Sequence, residues 1–262
     1  MKPKAAYDDI ALRARNLLRL HDGLLNTRKR RIRKDWKGSF CKVMHWPASA
    51  KIERIDSAGA IIVLREGSKL TPHDFGSDTL DDLLRASLTH GVSALDRYVH
   101  ERVIKGIVAS LKKSKLNQKQ EQFSIPATLA IRMSREASRA RRKGTQFRPA
   151  NSVRKKVQEI LHTKPLQSWS EIEYAFDLLG VSGLAGELQA AFKVADIKVI
   201  SSQLNEIVRT RNLIVHEGHL VRHQRAGEVR ALQISRKYVQ ESLDFLDQFV
   251  VHLDSVNSRG PA

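Results

Sequence analysis

The stretch "SDTLDDLLRASLTHGVSALDRYVHERVIKGIVASL", residues 77–111, decides the fold. Leu80, Leu84, Leu88, Val92, Leu95, Val99 and Val103 recur every three or four positions. That spacing draws one apolar stripe along a helix, wide enough to face a core. So long a stripe needs other helices to cover it. Ser77 or Asp78 is placed to cap the helix, and Asp81 and Asp82 favour its first turn through the helix dipole.

Helical patterns lie on either side of it. Residues 5–25 offer Ile10, Leu12, Leu17, Leu18 and Leu20 as an apolar set. A basic helix in "RMSREASRARRKGTQFRPAN" (132–151) runs to a loop at Gly144, and another follows at 151–162. Pro165 interrupts before short helices in "WSEIEYAFDLLG" and "SGLAGELQAAF". Residues 198–216 form a further helix with Gly218 as its stop. The last, capped by Ser235, carries Val239, Leu243, Leu246, Phe249, Val250 and Leu253 on one side. Only "KIERIDSAGAIIVLREGSKLTP" (51–72) breaks the pattern, with Ile61–Leu64 reading as a strand or short hairpin.

The expected architecture is therefore mainly α. A helical bundle spans 77–255, with a polar, basic insert at 112–150. Residues 1–76 form a basic N-terminal extension with a helix and a β segment, and 256–262 a tail.

The 262 residues carry a net charge of +18, with a pI near 10.3. Such an excess predicts attraction to polyanions. It sits in two blocks: residues 1–50 are net +9 and 101–160 net +12, while 51–100 and 161–262 are net −2 and −1. In the first block, Arg28, Lys29, Arg30, Arg31, Arg33 and Lys34 suit phosphate contact, with Trp36 and Phe40 nearby as stacking groups. In the second, Arg139, Arg141, Arg142, Lys143, Arg154, Lys155 and Lys156 are the candidates. RNA is the expected partner.

One cysteine, Cys41, leaves no disulfide framework within the chain. No run of about 18 apolar residues is present, and the first twenty residues lack an apolar signal stretch. A cytoplasmic protein without a membrane partner is expected. There is no GxGxxG, no Walker loop and no HExxH spacing, so neither cofactor nor metal is assigned.

Chemistry enters at "RNLIVH", residues 211–216. Arg211 and His216 are five apart, about 140° around a helix, whereas Asn212 and His216 share a face. A histidine can move a proton near neutral pH, and a guanidinium can stabilise charge on a phosphate oxygen. With the 2′-hydroxyl of RNA as nucleophile, these groups suffice for cleavage without a metal. The products are a 2′,3′-cyclic phosphate and a 5′-hydroxyl. One histidine serves poorly as both base and acid, so a second copy is expected to supply the other. Leu213, Ile214 and Val215 cannot all face one core, and part of that surface should meet another helix or subunit.

Arg-Asn-x-x-x-His near a helix end, followed by a glycine turn and a last amphipathic helix, resembles the HEPN superfamily. "LLRASLTHGVSALDRYVHERV" (83–103) is similar to the first core helix of its RiboL-PSP-HEPN branch, in which an ALD-x-Y-x-H/E segment recurs. Here that segment is Ala94, Leu95, Asp96, Tyr98, His100 and Glu101. The resemblance covers roughly residues 78–254. It implies a four-helix bundle that pairs into a homodimer with one composite cleft. Arg211 and His216 become the catalytic pair, and Asn212 the residue that orients them. Many such proteins are metal-independent endoribonucleases in toxin–antitoxin, abortive-infection or CRISPR-linked defence, which adds an antitoxin or regulatory protein as a candidate partner. Some carry a tyrosine two residues after the histidine, modified by a partner enzyme; Gly218 stands there instead.

Asp96 and Glu206 are candidate supporting residues. The resemblance brings Asp96 toward the cleft, while a structural hydrogen bond is the alternative. Glu206, five before Arg211, is placed to pair with it or to remain solvated. His100 and Glu101 are expected at the surface. Two other functions fit the same charge: a non-catalytic RNA-binding module, and a regulatory helical subunit acting through a protein.

Overall fold

The computed structural model describes residues 2–25, 28–31, 34–56, 61–65, 67, 69–112, 117–121, 127–145, 149–161, 164–219 and 232–256. The chain is mainly helical. Helix α1 (Pro3–Leu24) precedes strand β1 (Arg28–Arg31), helix α2 (Lys34–Val43) and strands β2 (Ile52–Asp56) and β3 (Ile61–Arg65). A 3-10 turn, Pro72–Phe75, leads into α3 (Ser77–Lys112). Then come α4 (Gln118–Glu121), α5 (Ala127–Arg142), α6 (Pro149–Leu161), α7 (Trp169–Leu178), α8 (Leu184–Phe192), α9 (Ile197–Glu217) and α10 (Arg236–Val256).

The stripe on α3 is buried throughout its length: Leu80, Leu84, Leu88, Val92, Leu95, Val99 and Val103 are at most 4% exposed. Ala94, Tyr98, Ile104 and Ile107 are buried as well, so the middle of α3 is covered on several sides. It packs against α1, α6, α7, α9 and α10 and forms the spine of the bundle. Gly91 allows the close approach of α10, since a Cβ there would lie 2.4 Å from Leu243 Cδ2. The helix begins at Ser77 itself, and the preceding 3-10 turn is closed by Thr71 and Asp74, so neither Ser77 nor Asp78 stands outside the helix as a cap.

Helix α1 belongs to this core, although residues 1–76 were expected as an extension. Its buried face is Pro3, Ala6, Tyr7, Ala14, Leu18 and His21, while Leu12 and Leu20 are half exposed. Ala14 lets the two backbones approach closely, and Ser87 Oγ donates to the Ala14 carbonyl at 2.8 Å. Tyr7 Oη and Arg15 both reach Asp247 on α10. Burying Leu18 alone contributes about 1.5–3 kcal/mol. An exposed pair such as Arg13–Asp9 contributes about 0–1 kcal/mol, so the apolar face decides the docking.

The β segment is a three-stranded antiparallel sheet, β1-β2-β3. β3 coincides with the expected strand. β1 falls on the basic run expected to contact phosphate. Its register sets Arg28 opposite Asp56, Arg30 opposite Arg54 and Arg31 opposite Glu53. A small separate core of Cys41, Ala50 and Ile52, with Phe40, Trp46 and Val63 against it, joins the sheet to α2.

The remaining helices follow the expected pattern. Gly144 and Gly218 have φ of 63° and 61° after α5 and α9. Ser235 Oγ accepts from the Tyr238 N–H at 3.1 Å and caps α10. Residues 220–231 lie outside the described residues, as do Arg33 and residues 257–262 of the tail. Among the described residues no helix is long and apolar enough to cross a membrane.

Candidate active site

Helix α9 is capped at its start by the Asp196 carboxylate, which accepts from the Lys198 N–H at 2.8 Å. Ile200, Leu204, Ile207 and Val208 anchor it in the core. The spacing of four, three and one turns the opposite face outward. That face carries Asn205, Arg209, Asn212 and His216 in steps of four, three and four. The helix unwinds at Gly218, and the His219 N–H closes back onto the Leu213 carbonyl at 2.9 Å.

An open cleft of about 460 Å³ runs along this face. Arg209, Asn212, His216 and Glu217 line it from α9, and Ser168 from the start of α7. Asn212 and His216 therefore share a cleft, as their spacing requires. Arg211 lines neither this cleft nor the neighbouring cavity described below. It turns sideways instead, and its Nη1 donates to Asn212 Oδ1 at 3.0 Å. Its Nε is buried and has no hydrogen-bond partner among the described residues. A buried donor left unpaired costs about 1–3 kcal/mol. The His216 ring is exposed and makes no hydrogen bond among the described residues.

The three apolar residues between them separate. Ile214 packs against the main core, Leu213 is half buried between the two cavities, and Val215 stays 47% exposed.

Asp96 is not at the cleft surface. Its Oδ1 accepts from the Leu166 N–H at 2.7 Å, and its Oδ2 stands 3.3 Å from His100 Nδ1. His100 Nδ1 also meets the Asp96 carbonyl at 2.8 Å, and Nε2 lies 3.0 and 3.1 Å from the carbonyls of Leu161 and Lys164. Every partner is an acceptor, so both ring nitrogens carry protons. Burial alone would lower the pKa of this imidazole; the Asp96 carboxylate and the carbonyls outweigh it and lift the value to about 9. Asp96 and His100 thus hold Leu161, Lys164 and Leu166, the last of them two residues before Ser168 and the cleft wall. There Ser168 and Glu171 form a capping box, and the Trp169 N–H donates to Asn205 on α9 at 3.1 Å. His100 and Glu101 are not surface residues. The Glu101 side chain is 4% exposed and held by Arg97 at 2.6 Å and Arg154 at 3.3 Å. Arg154, expected to meet RNA, is committed in part to this carboxylate.

Glu206 is exposed and forms no ion pair with Arg211 among the described residues. His219 is buried and accepts from Arg85 Nε at 3.3 Å; burial and that cation push its pKa down. Both line a cavity of about 980 Å³ with Tyr238 and Asp81, across Leu213 from the cleft. Among the described residues no three His, Cys, Asp or Glu side chains are grouped to hold a metal ion.

The cationic candidates occupy three elements. Arg28, Lys29, Arg30 and Arg31 lie on edge strand β1, and Lys34 begins α2. Trp36 is 46% exposed and stacks on Phe40 with centroids 5.0 Å apart. Arg139, Arg141 and Arg142 end α5, with Lys143 following, all exposed or nearly so. Arg154, Lys155 and Lys156 are on α6.

Sequence reasoning missed Arg209. The signal was available, since Arg209 and His216 are seven apart and about 20° from alignment, far closer than Arg211 and His216.

No protein-family model matches the sequence, and neither a curated protein nor a solved structure matches the chain.

Proposed function

We propose that this protein is a metal-independent endoribonuclease of the HEPN type, acting as a homodimer in the cytoplasm as a toxin or antiphage effector. The observation that carries the reading is the junction at the end of α9. His216 and Asn212 face one open cleft, and Arg211 is tied to that cleft through Asn212.

The chemistry follows from these groups. A neutral imidazole takes the proton of a 2′-hydroxyl, and the 2′-oxygen attacks the adjacent phosphorus. The P–O2′ bond forms as the P–O5′ bond breaks. The leaving 5′-oxygen receives a proton from a second imidazole, His216 of the other copy. Arg211 offsets the charge that builds on the phosphoryl oxygens. Asn212 holds the guanidinium where that charge develops. Because the nucleophile belongs to the RNA, no metal-activated water is needed. The exposed Val215 beside His216 supports an apolar contact between copies. The basic segments on β1, α5 and α6 draw RNA to the molecule, and an antitoxin or regulatory protein restrains it.

The charge blocks alone equally favour a non-catalytic RNA-binding module or a regulatory subunit. A time course with end-labelled single-stranded RNA separates the readings. The proposal expects cleavage by the wild-type protein and none by Arg211→Ala or His216→Ala. RNA bound in a salt-dependent way but left intact by the wild type is the result for a binding module.

A further inference from the structure

We infer that Arg209 is a substrate-holding residue of the His216 cleft, gripping an RNA phosphate beside the one that is cut. The inference rests on the nuclease reading for the word "cut", while the grip itself is testable by binding alone.

Arg209 faces the cleft that His216 faces, whereas Arg211 does not line it. The two residues are two helical turns apart, about 10.5 Å along the axis. With His216 at the phosphate that is cut, that separation suits a neighbouring phosphate of the same strand. Arg209 is exposed, and among the described residues it forms no ion pair, even with Glu206 one turn earlier. A guanidinium beside a carboxylate at helical spacing usually pairs with it. Here it is left available to an anion. Among the residues that line the cleft, Arg209 brings a guanidinium, and the Glu217 carboxylate lies at the other, His216 end. Asn212 lies between them, within reach of the same strand. The core-facing side of α9, set by Ile200, Leu204 and Ile207, fixes all three positions on a rigid helix rather than a loop. Planar, forked donors make arginine well matched to a phosphate.

The test uses the full-length protein with His216→Ala, so that bound RNA stays intact, and a fluorescent single-stranded RNA. Adding Arg209→Ala should raise Kd roughly tenfold. It should also flatten the dependence of log Kd on log salt by about 0.7, the value of one single-strand phosphate contact. Arg209→Lys should recover most of the affinity. In the wild-type background, Arg209→Ala should raise KM and leave kcat within about threefold. An unchanged Kd and salt slope in Arg209→Ala overturns the inference, whether or not the protein cuts RNA. Cleavage that survives His216→Ala overturns the role of His216, and RNA left intact by the wild type overturns the nuclease reading; the Arg209 binding result then stands by itself.

Discussion

Arg211 Nη1 donates to the side-chain oxygen of its neighbour Asn212 at 3.0 Å. Adjacent residues on a helix point about 100° apart, so this bond bends the guanidinium round toward the face that carries His216. The bond ties Arg211 to a residue that lines the His216 cleft, although Arg211 itself does not line it. Asn212→Ala should free the guanidinium and lower cleavage by about 10²-fold with little change in folding. The check is kcat/KM together with a melting curve. Activity within threefold of wild type would show that the arginine needs no such guide.

Val215 is half exposed beside His216. If two copies meet there, a charge at this position is expensive to bury and cheap to leave in water. Val215→Glu should therefore yield a folded monomer without nuclease activity. Sedimentation gives the mass and circular dichroism the fold. A dimer that still cleaves would remove Val215 from the interface.

The Asp96–His100 pair predicts a pH dependence of stability. The folded pKa of His100, about 9, lies above its ordinary value of 6.5. Its contribution is therefore full below about pH 6.5 and is lost as pH rises through about 9. Asp96→Ala should cost about 1–3 kcal/mol, since the Leu166 N–H and the imidazole lose an acceptor. It should also flatten the decline in stability between pH 6.5 and 9. Urea titrations of both proteins across that range provide the check, and parallel curves would contradict the assignment.

Much of the bundle was legible because burial leaves a period. The stripes of α3 and α10 and the stop at Gly218 stand where their spacing puts them. The face of α1 was read in part: Leu18 is buried and Ile10 packs against the core as expected. The rest of its contact is made by Ala6, Tyr7 and Ala14, small or amphipathic residues that allow close approach, while Leu12 and Leu20 face water. Strand β1 was invisible because "RKRR" has no alternation and pairs only through β2. His100 and Glu101 looked solvated because their partners, Leu161, Lys164 and Arg154, arrive from a helix and turn far along the chain. At the site, Asn212 and His216 follow from helix geometry. Arg209 follows from the same geometry but stands outside the Arg-x4-His pattern that drew attention to Arg211.

Arg154 offers a way to separate structure from binding. Its guanidinium braces the buried Glu101 carboxylate, which links α6 to α3. Arg154→Ala should cost about 1 kcal/mol, since Arg97 still holds the carboxylate, and leave the salt slope of RNA binding nearly unchanged. Arg142→Ala, at the exposed end of α5, should do the reverse. A thermal melt and a salt titration of each variant decide between them.

The most direct measurement is the chemistry of the cut ends. Purified protein is incubated with 5′-labelled RNA in the presence of EDTA, with His216→Ala alongside, and the 3′ ends of the fragments are mapped. The account predicts 2′,3′-cyclic phosphates at the wild-type rate despite EDTA, and no fragments from His216→Ala. Fragments ending in a 3′-hydroxyl, loss of cleavage with EDTA, or undiminished cleavage by His216→Ala would contradict it.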